Sequence, residues 1–124
     1  MKAQSQLTCE ERIDEHLKNW IAEFKEALDK ANGDYEWAED EEDERESFDI
    51  IDWLNNNALS YNDDTYYRAK RLELSWGGPS DGFIFFENGD IVYYFQDWFD
   101  GAERELGGED YNIMREFYDY ALNY

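Results

Sequence analysis

Ile13, Leu17, Trp20, Ile21, Phe24, Leu28 and Ala31 recur every three or four positions, the period of a helix with one buried face. Thr8 and Glu11 form a capping-box pattern ahead of this run, and Asn32-Gly33 ends it. A shorter apolar stripe, Phe48, Ile51, Trp53 and Leu54, predicts a second helix that an acidic run leads into and Asn55-Asn56-Asn57 closes. Ala58 to Asp64 reads as a connection, with Asn62-Asp63-Asp64 as turn residues. The period then changes to two. Between Tyr66 and Trp76, Leu72, Leu74 and Trp76 fall on one face and Arg71, Glu73 and Ser75 on the other, as in a half-buried strand.

Gly77 to Gly82 reads as a loop, followed by apolar runs Phe83–Glu87 and Asp90–Phe99 on either side of Asn88-Gly89. Asn-Gly favours a two-residue hairpin turn, which would set Phe86 opposite Ile91. A second turn at Asp100-Gly101 would set Asp97 opposite Arg104 as a cross-strand ion pair and start a fourth strand, Ala102 to Leu106. Gly107-Gly108 breaks the sheet, and Ile113, Met114, Phe117, Tyr120, Ala121 and Tyr124 return to helical spacing.

The expected fold is therefore α+β: a four-stranded antiparallel meander packed with N-terminal helices and a C-terminal helix. A length of 124 residues suits one domain, divided into an N-terminal helix (1–33), an acidic helical segment (34–64), the antiparallel sheet (65–106) and the C-terminal helix (107–124). Both faces of the strands from Phe83 to Phe99 carry aromatics, so helices are expected over one face and a second subunit, as in a homodimer, or another partner over the other.

Charge changes this picture most. The chain carries 32 acidic and 11 basic residues, a net charge of −21, yet also five Trp, ten Tyr and eight Phe, too many for a disordered polyelectrolyte. A field of one sign excludes direct nucleic-acid binding and anionic membranes, and draws in basic partners. No apolar run approaches the length of a membrane span, and one cysteine, Cys9, allows no internal disulfide; a cytoplasmic location is expected.

Catalytic groups are sparse. His16 stands alone within the first helix, where a surface or boundary role is expected, and Cys9 stands alone at its start, where the helix macrodipole could favour a thiolate. Carboxylates are abundant, but no pair is singled out by spacing for acid–base work, and Glu39–Glu46 lacks the glycine turn and ligand spacing of an EF-hand. The Gly77-Gly78 loop lacks the Lys and Ser/Thr of a phosphate-binding loop. No enzyme activity, cofactor or metal is expected.

The charge is concentrated. Asp34 to Asp64 holds thirteen acidic residues against Arg45 alone, −12 of the total. On one continuous helix, Asp40, Asp43 and Ser47 would form one stripe, and Glu39, Glu42, Glu46, Asp49 and Asp52 another, with neighbouring side chains about 5–6 Å apart at Cβ. The candidate partner-binding set is Glu36, Glu39, Asp40, Glu41, Glu42, Asp43, Glu44, Glu46, Asp49, Asp52, Asp63 and Asp64, with Tyr35 and Trp37 as aromatic anchors at the margin.

Two stretches, LELSWGGPSDGF (Leu72 to Phe83) and YYFQDWFDGA (Tyr93 to Ala102), resemble a motif pair of small proteins from bacteriophages and other mobile elements. In size and acidity the chain also resembles phage antirestriction and anti-CRISPR inhibitors, some of which mimic DNA. That resemblance implies a non-enzymatic inhibitor acting in the cytoplasm of a bacterial host, on a Cas effector or restriction enzyme whose basic nucleic-acid-binding groove accepts the acidic segment. The alternative is a structural or regulatory module that binds a protein through its aromatic sheet face.

Overall fold

In a computed structural model of the chain, residues 7–66, 68–75 and 79–123 are described. Trp76 of the expected strand, the Gly77-Gly78 loop and Tyr124 of the expected C-terminal helix lie outside the described residues. The architecture is α+β. Helix α1 (Cys9–Asn32) is followed by a 3₁₀ turn (Glu39–Glu41), α2 (Glu42–Ser47) and α3 (Ile50–Asn57). Strands β1 (Ser60–Asp64), β2 (Ala69–Ser75), β3 (Ser80–Phe86), β4 (Ile91–Asp97) and β5 (Asp100–Glu105) come next, then α4 (Gly108–Phe117) and a π turn (Tyr118–Leu122). The strands pair antiparallel in sequential order.

The capping box of α1 forms as its sequence implies. Thr8 Oγ1 accepts the Glu11 backbone N–H at 3.2 Å and Glu11 Oε1 accepts the Thr8 backbone N–H at 3.2 Å, while Gly33 closes the other end in the left-handed region, donating to the Asp29 carbonyl. Ile13, Leu17, Ile21, Phe24 and Leu28 bury against Leu72, Phe83, Phe85, Tyr93 and Phe95 from one face of the sheet, joined by Ile50 and Leu54 of α3 and Met114 and Phe117 of α4. Phe24 is the hub: its ring lies 4.7 Å from Phe117, 5.2 Å from Trp53 and 5.6 Å from Phe83. Burying a ring of this size contributes about 1.5–3 kcal/mol.

Several expectations are corrected. The sheet has five strands, because Ser60–Asp64, expected as a connection, pairs with β2 along its whole length. Four polar residues around Tyr61 give no apolar alternation, so the strand is held by its neighbour, by Tyr61, which packs on the core and donates its hydroxyl to the Leu122 carbonyl at 3.2 Å, and by the Asp64–Arg71 and Asp63–Lys70 ion pairs. The first hairpin has a three-residue loop, Glu87-Asn88-Gly89: Phe85 faces Ile91, and Gly89 (φ 97°) takes the left-handed position while donating to the Phe86 carbonyl. The second hairpin turns at Trp98-Phe99, so Asp97 faces Asp100 and Arg104 faces Tyr93. The expected Asp97–Arg104 pair is replaced by two links to α1: Arg12 to Asp97 at 2.7 Å, and Arg104 to Asp14 and Glu10, each at 2.9 Å. Turn propensity had placed Asp100-Gly101 at the bend; Asp100 instead accepts the backbone N–H of Cys9 at 2.7 Å, fastening β5 to the start of α1.

A bulge between Glu73 and Ser75 carries Ser75 to the buried side, where it was not expected. There Asp81, placed in a loop by its sequence context, lies in β3 at 3% exposure. Its carboxylate accepts from Trp20 Nε1 at 2.8 Å, from Ser75 Oγ and from the Tyr93 hydroxyl. Burial first, and then Asp81, push the Tyr93 hydroxyl far above its ordinary pKa, so it stays a donor.

The outer sheet face is not the open aromatic surface expected. Phe83, Phe85, Tyr93 and Phe95 all point into the core. Tyr94, on the outer face, is 5% exposed because it lies across Gly82, where a Cβ would come within 2.7 Å of its hydroxyl, and under Arg71, whose guanidinium carbon sits 4.8 Å from the ring centre. The exposed aromatics of this region are Trp98 and Phe99, at the hairpin tip.

Candidate functional site

The acidic run does not continue as one helix into α3. Seven carboxylates in eight residues repel one another at helical spacing, and Asp49 caps α3 instead, accepting the backbone N–H groups of Ile51 at 2.8 Å and Asp52 at 3.1 Å. The chain breaks at extended Phe48, so the expected stripe Glu39, Glu42, Glu46, Asp49 and Asp52 is cut between Glu46 and Asp49. Glu41 turns back to accept the Ala38 backbone N–H at 2.9 Å and starts the 3₁₀ turn.

Glu36, Glu39, Asp40, Glu42, Asp43, Glu44 and Glu46 are all exposed, as are Asp49 and Asp52. Among the described residues no Lys, Arg or His pairs with Glu39, Asp40, Glu42, Asp43, Glu44 or Glu46, and Arg45 forms no ion pair. Asp63 and Asp64 stand apart: they lie on β1 and face Lys70 and Arg71, so their charge is already balanced. They do not join the helical acidic surface.

What fixes that surface to the body is an aromatic cluster. Tyr35 and Trp37 pack edge-on at 4.9 Å, and Trp37 lies 6.3 Å from Phe48 across the break between α2 and α3. Lys30, in the last turn of α1, places its ammonium 4.8 Å from the Tyr35 ring centre, 5.0 Å from Trp37 and 5.8 Å from Phe48, with Glu26 at 3.7 Å. Burial, with a hydrogen bond to Glu26, raises the Tyr35 hydroxyl above its ordinary pKa. Tyr35 and Trp37, singled out as anchors, are therefore brought together. Lys30 and Phe48, which complete the cluster, had no distinguishing signal: each reads as an ordinary member of a helical pattern.

The lone candidates for chemistry are placed plainly. Cys9 is buried at 1% exposure, and burial first, with the charge of Asp100 second, raises its thiol pKa, so the helix start does not yield a thiolate. His16 stacks on Phe95 at 4.5 Å, at the boundary of the core. Among the described residues no group of three or more His, Cys, Asp or Glu is arranged to hold a metal ion, and no helix is long and apolar enough to cross a membrane. No family model matches the chain, and no curated protein or solved structure is significantly similar to it.

Proposed function

We propose that this protein is a non-enzymatic inhibitor whose acidic surface, from Glu36 to Asp52, occupies the basic nucleic-acid-binding groove of a bacterial defence complex, a Cas effector or a restriction enzyme. The observation that carries the reading is charge per unit length. The 3₁₀ turn and α2 together span about 15 Å, from rises of about 2.0 and 1.5 Å per residue. They hold seven carboxylates and Arg45. That is one net negative charge per roughly 2.5 Å, between the spacing of about 3.4 Å along one DNA strand and about 1.7 Å along the duplex.

A second support is order. A flexible acidic tail loses conformational entropy when it docks, whereas this segment is tethered at both flanks, by Tyr35, Trp37 and Phe48 around Lys30 and by Asp49 capping α3, which lowers the cost of binding. Asp63 and Asp64 leave the proposed contact set because Lys70 and Arg71 already neutralise them. Binding through the sheet face, the other reading, is less favoured because Tyr94 is covered by Arg71 and packed across Gly82, and the fully exposed aromatics among the described residues from Phe83 to Phe99 are Trp98 and Phe99 at the hairpin tip.

The test is a panel of purified Cas effectors and restriction endonucleases, with labelled target DNA and the protein added before or after it. Competitive loss of DNA binding by at least one enzyme, strongest when the protein is added first, is the expected result. DNA binding and cleavage unchanged across both enzyme classes would sink the proposal.

A further inference from the structure

The cluster at Lys30 already holds one cation against three rings, and Lys30 lines one side of a cleft of about 340 Å³ that opens between α2 and α3. Its walls are Trp37, Phe48 and Trp53, and Glu41, Glu44 and Asp52 stand around it. We infer that this cleft receives an arginine side chain of the protein that the acidic surface binds. The inference rests on the function proposed above and adds to it the identity of the group recognised.

Two features favour a guanidinium over an ammonium, and a third shows that the rings attract a cation. The walls are aromatic and half-exposed, and a planar cation gains by stacking on aromatic rings; an ammonium has no such plane and gives up tighter hydration to enter. Carboxylates are present to meet the in-plane N–H groups, and Arg in a fork geometry uses two acceptor oxygens at once. Lys30 supplies the independent sign that two of these rings attract positive charge: its ammonium sits 5.0 Å from the Trp37 ring centre and 5.8 Å from that of Phe48, with Glu26 at 3.7 Å. Asp49 and Glu41 also line the cleft but are committed to the α3 cap and to the Ala38 backbone N–H, so Glu44 and Asp52 are the acceptors that face a ligand.

The break at Phe48 is what makes the cleft. Had α2 run on into α3 as one helix, Phe48 would not stand opposite Trp37 across an opening.

The experiment titrates the full chain with hexa-arginine and with hexa-lysine at low salt, following tryptophan fluorescence and the indole N–H signals of Trp37 and Trp53 by NMR. Hexa-arginine should bind about fivefold more tightly than hexa-lysine and shift the Trp37 signal; Trp37→Leu should erase that preference while both peptides still bind in a salt-dependent way. Glu44→Gln with Asp52→Asn, at exposed positions that carry no packing, should weaken hexa-arginine more than hexa-lysine without moving the urea midpoint. Equal affinity for the two peptides, or a preference that survives in Trp37→Leu, overturns the cleft assignment and leaves the acidic surface standing. Failure of both peptides to bind at low salt overturns the cleft assignment and the acidic surface together.

Discussion

Replacing Asp81 with Asn keeps the shape of the side chain and removes its charge, which isolates what the buried carboxylate contributes. In the native protein one oxygen accepts from Trp20 Nε1 and the Tyr93 hydroxyl, and the other from Ser75 Oγ. An asparagine oxygen at the first site turns two charge-assisted bonds into neutral ones. Ser75 loses least, because a hydroxyl can rotate and accept from the new amide. At about 1 kcal/mol per bond for the lost charge assistance, Asp81→Asn should cost about 2 kcal/mol. Asp81→Ala strands the Tyr93 hydroxyl in a site with no exposure, and should cost about 4 kcal/mol. Set against a total of about 5–15 kcal/mol for a domain of this kind, either is readily measured. Urea denaturation followed by tryptophan fluorescence supplies the values, and a cycle with Tyr93→Phe should return a coupling of at least about 1 kcal/mol. An Asp81→Asn protein within about 0.5 kcal/mol of wild type would refute the reasoning, since charge would then add nothing to these three hydrogen bonds.

Three further outcomes follow from single positions. Trp98 holds φ 59° as the first of two loop residues while 90% exposed, so Trp98→Gly relieves backbone strain, loses almost no burial and should stabilise by about 0.5–1 kcal/mol in the same denaturation assay. Gly82→Ala would put a Cβ 2.2 Å from the Leu72 carbonyl oxygen, and should destabilise by about 2 kcal/mol or more, read as a lowered urea midpoint. Asp100 has its pKa lowered, first by the Cys9 backbone N–H it accepts, so its contribution to stability is present above about pH 4 and is lost as pH falls through the lowered value; the gap between wild type and Asp100→Asn should be constant from pH 7 to about 5 and should close in acid, and a gap independent of pH would contradict the assignment.

The α1 helix was legible almost to the residue, because a capping box, a 3.6-residue period and a stop signal all agree there. The period of two found β2 and the inward Leu72 and Leu74. Where single cues carried the reading, tertiary contacts overrode them. Asn88-Gly89 did mark a hairpin, but Gly89 serves as the left-handed third residue of a longer loop. Asp100-Gly101 looked like a turn, yet Asp100 is needed as an acceptor for α1, which moves the bend to Trp98-Phe99. The polar strand β1 has no periodicity to detect. The charge of the acidic segment was plain from composition, whereas its division at Phe48, and with it the ring cluster around Lys30, depends on which residues meet across the break.

The central claim is that the exposed acidic rod engages a basic nucleic-acid-binding groove, and a salt series on the complex tests it most directly. With an enzyme whose DNA binding the protein blocks, the dissociation constant is measured between 50 and 200 mM salt for the wild type and for Asp40→Asn, Glu42→Gln, Asp43→Asn and Glu46→Gln combined. The wild-type complex should weaken by about tenfold or more over that range, and the neutralised variant, folded by circular dichroism, should bind more weakly at 50 mM and show a clearly shallower slope. An affinity that is indifferent to salt, or that the four substitutions leave unchanged, would contradict the account.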